Sequence, residues 1–142
     1  MRGAQALIEA RGWIGTPYLH QGSTKGAGAD CLGLIRGVWR ALYGAEPEPV
    51  PAYTADWSEH EGAERLMEVA LRHFQPADHR AAEPGDLILF RMRDGAVAKH
   101  LGLMAEVGAR PSFIHAFSGH FVTESPLSAP WSRRIVARLA FP

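Results

Sequence analysis

The chain contains a single cysteine, Cys31, and its sequence context indicates chemistry. Cys31 follows Asp30, a residue type that caps helices well, and it precedes apolar residues at helical spacing. A helix N-terminus carries roughly half a positive charge and free N–H groups, which stabilise a thiolate and a developing oxyanion. We therefore expect Cys31 to be a nucleophile whose pKa is lowered. The alternative is a structural cysteine that happens to begin a helix.

A nucleophilic cysteine needs a base, and two of the seven histidines lie on adjoining predicted strands. A turn centred near Gly108 puts His115 opposite His100, or one diagonal step away on the same face of the sheet. Gly102 leaves open room on that face. A base oriented by a second polar ring is the arrangement of a cysteine triad. The alternative is two histidines on the polar face of a hairpin.

The other histidines are weaker candidates. His120 competes with His115 for the orienting role, but it follows a glycine turn and is expected at the rim of the site. We expect three more to be solvated or packed: His60, His73 and His79. No pair of histidines has the HExxH spacing of a zinc site, so neither a metal nor another cofactor is predicted.

Helical patterns occupy the first half of the chain. A short amphipathic helix is predicted over residues 3–11, followed by a glycine-rich loop over residues 12–29. The strongest helix runs over residues 31–43 and ends before Gly44. Ser58 and Glu61 form a capping box that opens a third helix, which ends near His73.

The second half is rich in strands. Short apolar or alternating runs separated by glycine and proline turns predict five of them, over residues 87–90, 97–105, 112–117, 120–124 and 134–139. Helices followed by antiparallel strands define an α+β fold.

Length and composition limit the classes of function. The 142 residues fit one domain, over residues 1–142. Lys and Arg balance Asp and Glu at 15 each, so no basic field attracts nucleic acid or an anionic membrane. The four tryptophans are expected in the core or in groove walls. No run approaches the ~20 apolar residues of a membrane span, and polar residues interrupt the N-terminus, so we expect cytoplasmic synthesis without a signal peptide.

Five motifs in order carry a resemblance: GTPY at residues 15–18, DCLGL at 30–34, PGDLILF at 84–90, HLGL at 100–103 and IHA at 114–116. In this order, over residues 4–140, they resemble the NlpC-type family of cell-wall cysteine peptidases. The resemblance implies a reduced papain-like fold, in which N-terminal helices pack on a C-terminal antiparallel sheet or half-barrel.

The resemblance also implies roles for five residues. Cys31 would be the nucleophile, His100 the general base and His115 the residue that orients it. Tyr18 would line the site near the oxyanion, and Asp30 would help to bind the amino end of the substrate. That substrate would be a peptidoglycan stem peptide, cut between D-glutamate and a diamino acid.

Two departures from the family pattern border the substrate side. Leu32 follows the nucleophile where the family commonly has serine. The Tyr18 loop continues as LHQG over residues 19–22 where a glycine pair is common. Both departures leave the expected chemistry intact and leave stem-peptide specificity open.

Compact chains of this kind also resemble the cell-wall peptidases of phage and gene-transfer-agent tails. This implies assembly with tail or baseplate proteins of a virion or phage-like particle, and action in the periplasm or cell wall. Two other classes stay open. One is a structural tail component with vestigial activity, and the other is a different acyl-transfer enzyme, such as an amidase, a transglutaminase-like enzyme or a toxin deamidase.

Overall fold

The structure, a computed structural model, describes residues 2–54, 57 and 64–142. The helices in this part of the chain are α1 (Arg2–Arg11), α2 (Cys31–Tyr43), α3 (Arg65–His73) and α4 (Ala129–Ser132). The strands are β1 (Ser23–Thr24), β2 (Gly28–Ala29), β3 (Gln75–Pro76), β4 (Leu87–Arg91), β5 (Ala98–Met104), β6 (Ser112–His115), β7 (Thr123–Pro126) and β8 (Ile135–Ala140).

Six strands form one antiparallel sheet in the order β3-β8-β4-β5-β6-β7, and β1 pairs with β2 separately. Helices precede nearly all of this sheet in the chain, and α2 packs against β5. The α+β fold expected from the sequence is therefore confirmed. The expectation of one domain over residues 1–142 stays a prediction.

The central strand β4 is buried on both faces, which explains its continuous apolar run. Leu87 and Leu89 lie in the larger core, which also contains residues of α1 and α2. Ile88 and Phe90 face the other way, into a smaller cluster. The smaller cluster also includes residues from β5, β6, β8 and the α4 region: Met104, Phe113, Leu127, Trp131 and Ile135.

Helix α2 has the predicted bounds because both of its ends are capped. The Asp30 side chain accepts a hydrogen bond from the Gly33 N–H at 2.7 Å. Gly44 ends the helix with φ of +90°, which favours glycine, and its N–H donates to the Arg40 carbonyl.

Several boundaries differ from the predictions. Helix α3 is described from Arg65, and the predicted capping box of Ser58 and Glu61 lies outside the described residues, as does His60. Strand β7 begins at Thr123 rather than at His120, because His120 closes a turn through a hydrogen bond from its N–H to the Phe117 carbonyl. The predicted loop over residues 12–29 contains the two short strands β1 and β2.

The patterns also missed β3 and α4, of two and four residues, which are too short to show a period. Among the helices of the described part, none has the length and apolar character needed to cross a membrane.

Candidate active site

The N-terminus of α2 and strand β5 meet at a pocket of about 290 Å³. Cys31 and His100 both line it, and the backbone N–H of Leu101, the residue after His100, is directed at the Cys31 sulfur. The remaining walls include Tyr18, His20, Asp30, Tyr53, Trp57, Lys99 and Phe117. Four of the five residues singled out from the sequence therefore share one pocket.

His100 and His115 are hydrogen-bonded, with 2.8 Å between Nε2 of His100 and Nδ1 of His115. Leu103 pairs with Ile114, so the two histidines stand one diagonal step apart on the same face of the sheet, as predicted. The open room expected at Gly102 is filled instead. A Cβ at that position would lie 2.7 Å from the Phe113 ring.

The hydrogen-bond chain continues to a third strand. Nε2 of His115 lies 2.9 Å from Oγ of Ser125 on β7. Thr123 pairs directly with His115, so Ser125 is again a diagonal neighbour. Sequence reasoning missed Ser125 because the register of β7 was misplaced.

Aromatic rings enclose both histidines. The Trp131 ring centroid lies 5.5 Å from that of His100 and 5.2 Å from that of His115, and Phe117 contacts both rings. Burial lowers the pKa of His100 to about 3, with a smaller contribution from His115. Burial also lowers the pKa of His115 to about 4, helped by His120. Both imidazoles are therefore neutral at neutral pH.

The expectation that the pKa of Cys31 is lowered is wrong. Burial, together with the smaller effect of the negative charge of Asp30, raises the pKa of Cys31 to about 12. The backbone N–H groups of Leu101, Leu32 and Cys31 act in the opposite direction but do not outweigh burial. The pocket therefore holds a neutral thiol beside a neutral imidazole.

Asp30 is buried, and both of its carboxylate oxygens accept hydrogen bonds from the protein. One oxygen caps α2 through Gly33. The other accepts from the Gln21 N–H at 2.7 Å and from the Tyr53 hydroxyl. Burial, followed by this bond to Asp30, raises the pKa of Tyr53. Tyr53 lies in the segment between α2 and α3, where no sequence signal marked it.

Tyr18 lines the pocket because its loop pairs with the residue before Asp30. The Ala29 N–H donates to the Pro17 carbonyl, and the Leu19 N–H donates to the Ala29 carbonyl. Burial and the nearby acidic groups Asp30 and Cys31 raise the pKa of Tyr18, so its hydroxyl keeps its proton and can donate a hydrogen bond.

The other histidines take different places. His120 is exposed and stacks on Phe117 at the edge of the pocket, as expected for a rim residue. His20, which the sequence did not single out, lines the pocket and lies 3.8 Å from the Asp30 carboxylate. His73 pairs with Glu48 away from the pocket. Within the described residues, no group of three or more His, Cys, Asp or Glu side chains is arranged to hold a metal.

Three solved structures that share this arrangement of helices and sheet are described as NlpC/P60 domains or family members. The NlpC/p60 domain of the peptidoglycan hydrolase SagA is 22% identical, with a TM-score of 0.61 and 98% of each chain covered. An NLP/P60-family, lipoprotein-like protein of Staphylococcus aureus is 22% identical, and an NlpC/P60-family protein of Bacillus cereus is 17% identical. Their TM-scores are 0.64 and 0.66 over 99% and 98% of this chain. The chain spans only 41% and 40% of those two proteins.

The family is shown by sequence as well. Residues 15–139 match the model of the NlpC/P60 family, and the chain belongs to that family. Among proteins with curated descriptions, no sequence is significantly similar.

Proposed function

We propose that this protein is a cysteine peptidase that cleaves peptidoglycan stem peptides. Cys31 is the nucleophile, His100 the general base and acid, and His115 the residue that orients His100. The observation that carries the proposal is the shared pocket of Cys31 and His100, with His100 bonded to His115 behind it. Nδ1 of His100 is thus the ring nitrogen left for the thiol.

The reaction starts from the neutral pair. A thiol pKa of about 12 and an imidazole pKa of about 3 keep the proton on sulfur until substrate is attacked. As the S–C bond forms, Nδ1 of His100 takes the thiol proton. The imidazolium then protonates the leaving amine, which breaks the C–N bond and leaves a thioester on Cys31. Water, deprotonated by His100, releases the acyl group.

The developing oxyanion needs donors, and two are near. Backbone N–H groups at the start of α2 point toward the Cys31 sulfur, and Tyr18 keeps its hydroxyl proton at the pocket wall. A lowered His100 pKa makes its imidazolium a strong acid toward the leaving amine. These features support the roles given to Tyr18 and His100.

The substrate assignment rests on family membership and on a similar domain described as part of a peptidoglycan hydrolase. Asp30 adds a negative charge to the pocket wall, which favours the amino end of a stem peptide. We assign the bond between D-glutamate and the diamino acid as the one that is cut. At the positions where the family pattern differs, His20 lines the pocket, and Leu32 lines an adjoining groove that shares Tyr53 and Trp57 with it. These two side chains are therefore candidates for tuning specificity.

The route by which the enzyme reaches the cell wall is inferred from sequence resemblance alone. We place the protein in the tail or baseplate of a virion or gene-transfer-agent-like particle, where it would open the cell wall. Purified particles from the source cell should contain this chain in their proteome. Particles that lack it would overturn the tail assignment and leave the peptidase assignment untouched.

The peptidase assignment is tested by incubating the protein with murein sacculi and with stem peptides, and by following new amines by mass spectrometry. Cys31→Ala and His100→Gln should abolish cleavage, whereas His79→Gln, at an exposed histidine, should not. Cleavage that persists in Cys31→Ala would contradict the assignment as a cysteine peptidase.

The same products separate the rival classes. Ammonia release or transfer to an added amine, without peptide cleavage, identifies a deamidase or transglutaminase-like enzyme. A Cys31 that reacts with an electrophilic peptide probe no faster than a free thiol, in a protein that cuts nothing, identifies a structural tail component.

A further inference from the structure

A chain of ring and hydroxyl groups crosses three strands behind the pocket. His100 on β5, His115 on β6 and Ser125 on β7 are successive diagonal neighbours, linked by hydrogen bonds of 2.8 and 2.9 Å. Each link has one proton to share when both imidazoles are neutral. The donor of one link therefore decides the donor of the next.

The chain can run in only two directions. If Ser125 donates to Nε2 of His115, then Nδ1–H of His115 donates to Nε2 of His100, whose own proton sits on Nδ1. That tautomer of His100 has no lone pair for the thiol proton. If Ser125 accepts instead, both histidines carry their protons on Nε2, and Nδ1 of His100 is free to act as a base.

The position of Ser125 allows the accepting direction, which is the one that the role of His100 as a base requires. Ser125 is half-buried and lines a second groove, with Arg110, Ser112, Glu124 and Ser128. This groove shares no residue with the pocket that Cys31 lines. Solvent in the groove can accept a hydrogen bond from the Ser125 hydroxyl. Oγ can therefore accept a hydrogen bond from His115 without leaving a buried donor unpaired.

The strand that carries Ser125 is held in register. Glu124, its neighbour on the opposite face, accepts from the Ser112 hydroxyl at 2.6 Å and pairs with Arg11 of α1. These contacts fix β7 against β6 and α1, so the distance from Ser125 to His115 is set by the fold rather than by a mobile loop.

We propose that Ser125 is a positioning residue that sets the tautomers of both histidines and so makes His100 competent as a base. The proposal rests on the catalytic roles given to Cys31 and His100. Ser125 acts through His115 and contacts neither substrate nor the thiol. It keeps Nε2–H of His115 as a donor, before and after His100 takes the thiol proton.

The direct test is nitrogen-15 NMR of the histidine rings in the unmodified protein at neutral pH. Both His100 and His115 should be protonated on Nε2. A proton on Nδ1 of His115 would overturn the proposal. This measurement needs no substrate, so it stays decisive if the protein cuts no stem peptide, a result that would count against the proposed function instead.

Variants supply the functional readout. Ser125→Ala should mix the tautomers of both histidines and lower kcat by about 10- to 100-fold, with KM little changed. Ser125→Thr, which keeps a hydroxyl, should restore both the tautomers and kcat. Thr123→Val removes a hydroxyl from the same face of β7 that is not part of the hydrogen-bond chain. This variant should leave the tautomers and kcat as they are. Equal kcat losses in Ser125→Ala and Thr123→Val, or unchanged tautomers in Ser125→Ala, would overturn the proposal.

Discussion

Asp30 acts on Cys31 in two opposing ways. Its side chain caps α2, which holds the N-terminal N–H groups of the helix toward the sulfur. Its charge lies beside the same sulfur and raises the pKa of the thiol. The helix dipole therefore lowers the pKa of Cys31 while the carboxylate raises it. Burial adds to the effect of the carboxylate, so the thiol stays neutral.

Replacing Asp30 separates these effects. Asp30→Asn keeps a good capping residue and removes the charge, so the pKa of Cys31 should fall below its value of about 12. A fall of one unit would raise the thiolate fraction near pH 8 about tenfold, and the iodoacetamide alkylation rate by about threefold, because a less basic thiolate is a weaker nucleophile. Asp94→Asn, at an exposed position, is the control. Identical dependence of the alkylation rate on pH in the two variants would contradict this account.

Sequence reasoning identified the residues of the candidate site better than their electrostatics. Type and spacing were enough to pair His100 with His115, because a short hairpin leaves few registers. The raised pKa of Cys31 was not predictable, because it depends mainly on burial where α2 packs against β5, a strand distant in the sequence. Tyr53 was missed because it lies in a segment with no recognisable pattern, and Ser125 was missed because the predicted strand ended at residue 124.

At the scale of elements, the site depends on a close approach between the Tyr18 loop and α2. The Asp30 N–H donates to the Gly22 carbonyl at 3.3 Å, and that carbonyl lies against Gly33. A Cβ at Gly33 would lie 1.6 Å from the Gly22 oxygen. Glycine at position 33 therefore lets the loop that carries Tyr18 dock beside the nucleophile.

Gly33→Ala tests this contact. Alanine favours a helix by about 1 kcal/mol over glycine, but the clash with backbone should lower the free energy of unfolding by about 3 kcal/mol and change the alkylation rate of Cys31. The measurements are urea unfolding and thiol labelling. Gly95→Ala carries only the cost of a φ of +75°, with no atom nearby, and should leave Cys31 labelling unchanged. A Gly33→Ala protein as stable as wild type would refute the close approach.

The elements themselves differed in how well sequence predicted them. Helix α2 was predicted to the residue because an aspartate and a glycine cap a clear period. Strand β4 was predicted because an apolar run follows a turn. Strand β7 was displaced by three residues, since a turn at Gly119 fits either start, and only pairing with β6 selects Thr123.

For the molecule as a whole, the two buried histidines link the site to folding. Their imidazoles stay neutral in the native state well below the pKa of about 6.5 that a free imidazole has. The unfolded chain binds protons that the folded chain excludes between that value and about pH 4. The free energy of unfolding must therefore fall as the pH falls through this window.

Urea unfolding between pH 6.5 and pH 5 measures the effect before most carboxylates are protonated. Each histidine should contribute a slope of up to about 1.4 kcal/mol per pH unit, with stability lost toward low pH. His115→Gln removes one of the two groups and should reduce the slope, whereas His79→Gln, at an exposed site, should keep the slope of the buried pair. Because stability is read without substrate, this result does not depend on the reaction. A stability that stays level from pH 6.5 to pH 5 would mean that His100 and His115 take up protons in the folded protein, and the neutral pair at the centre of the site would have to be abandoned.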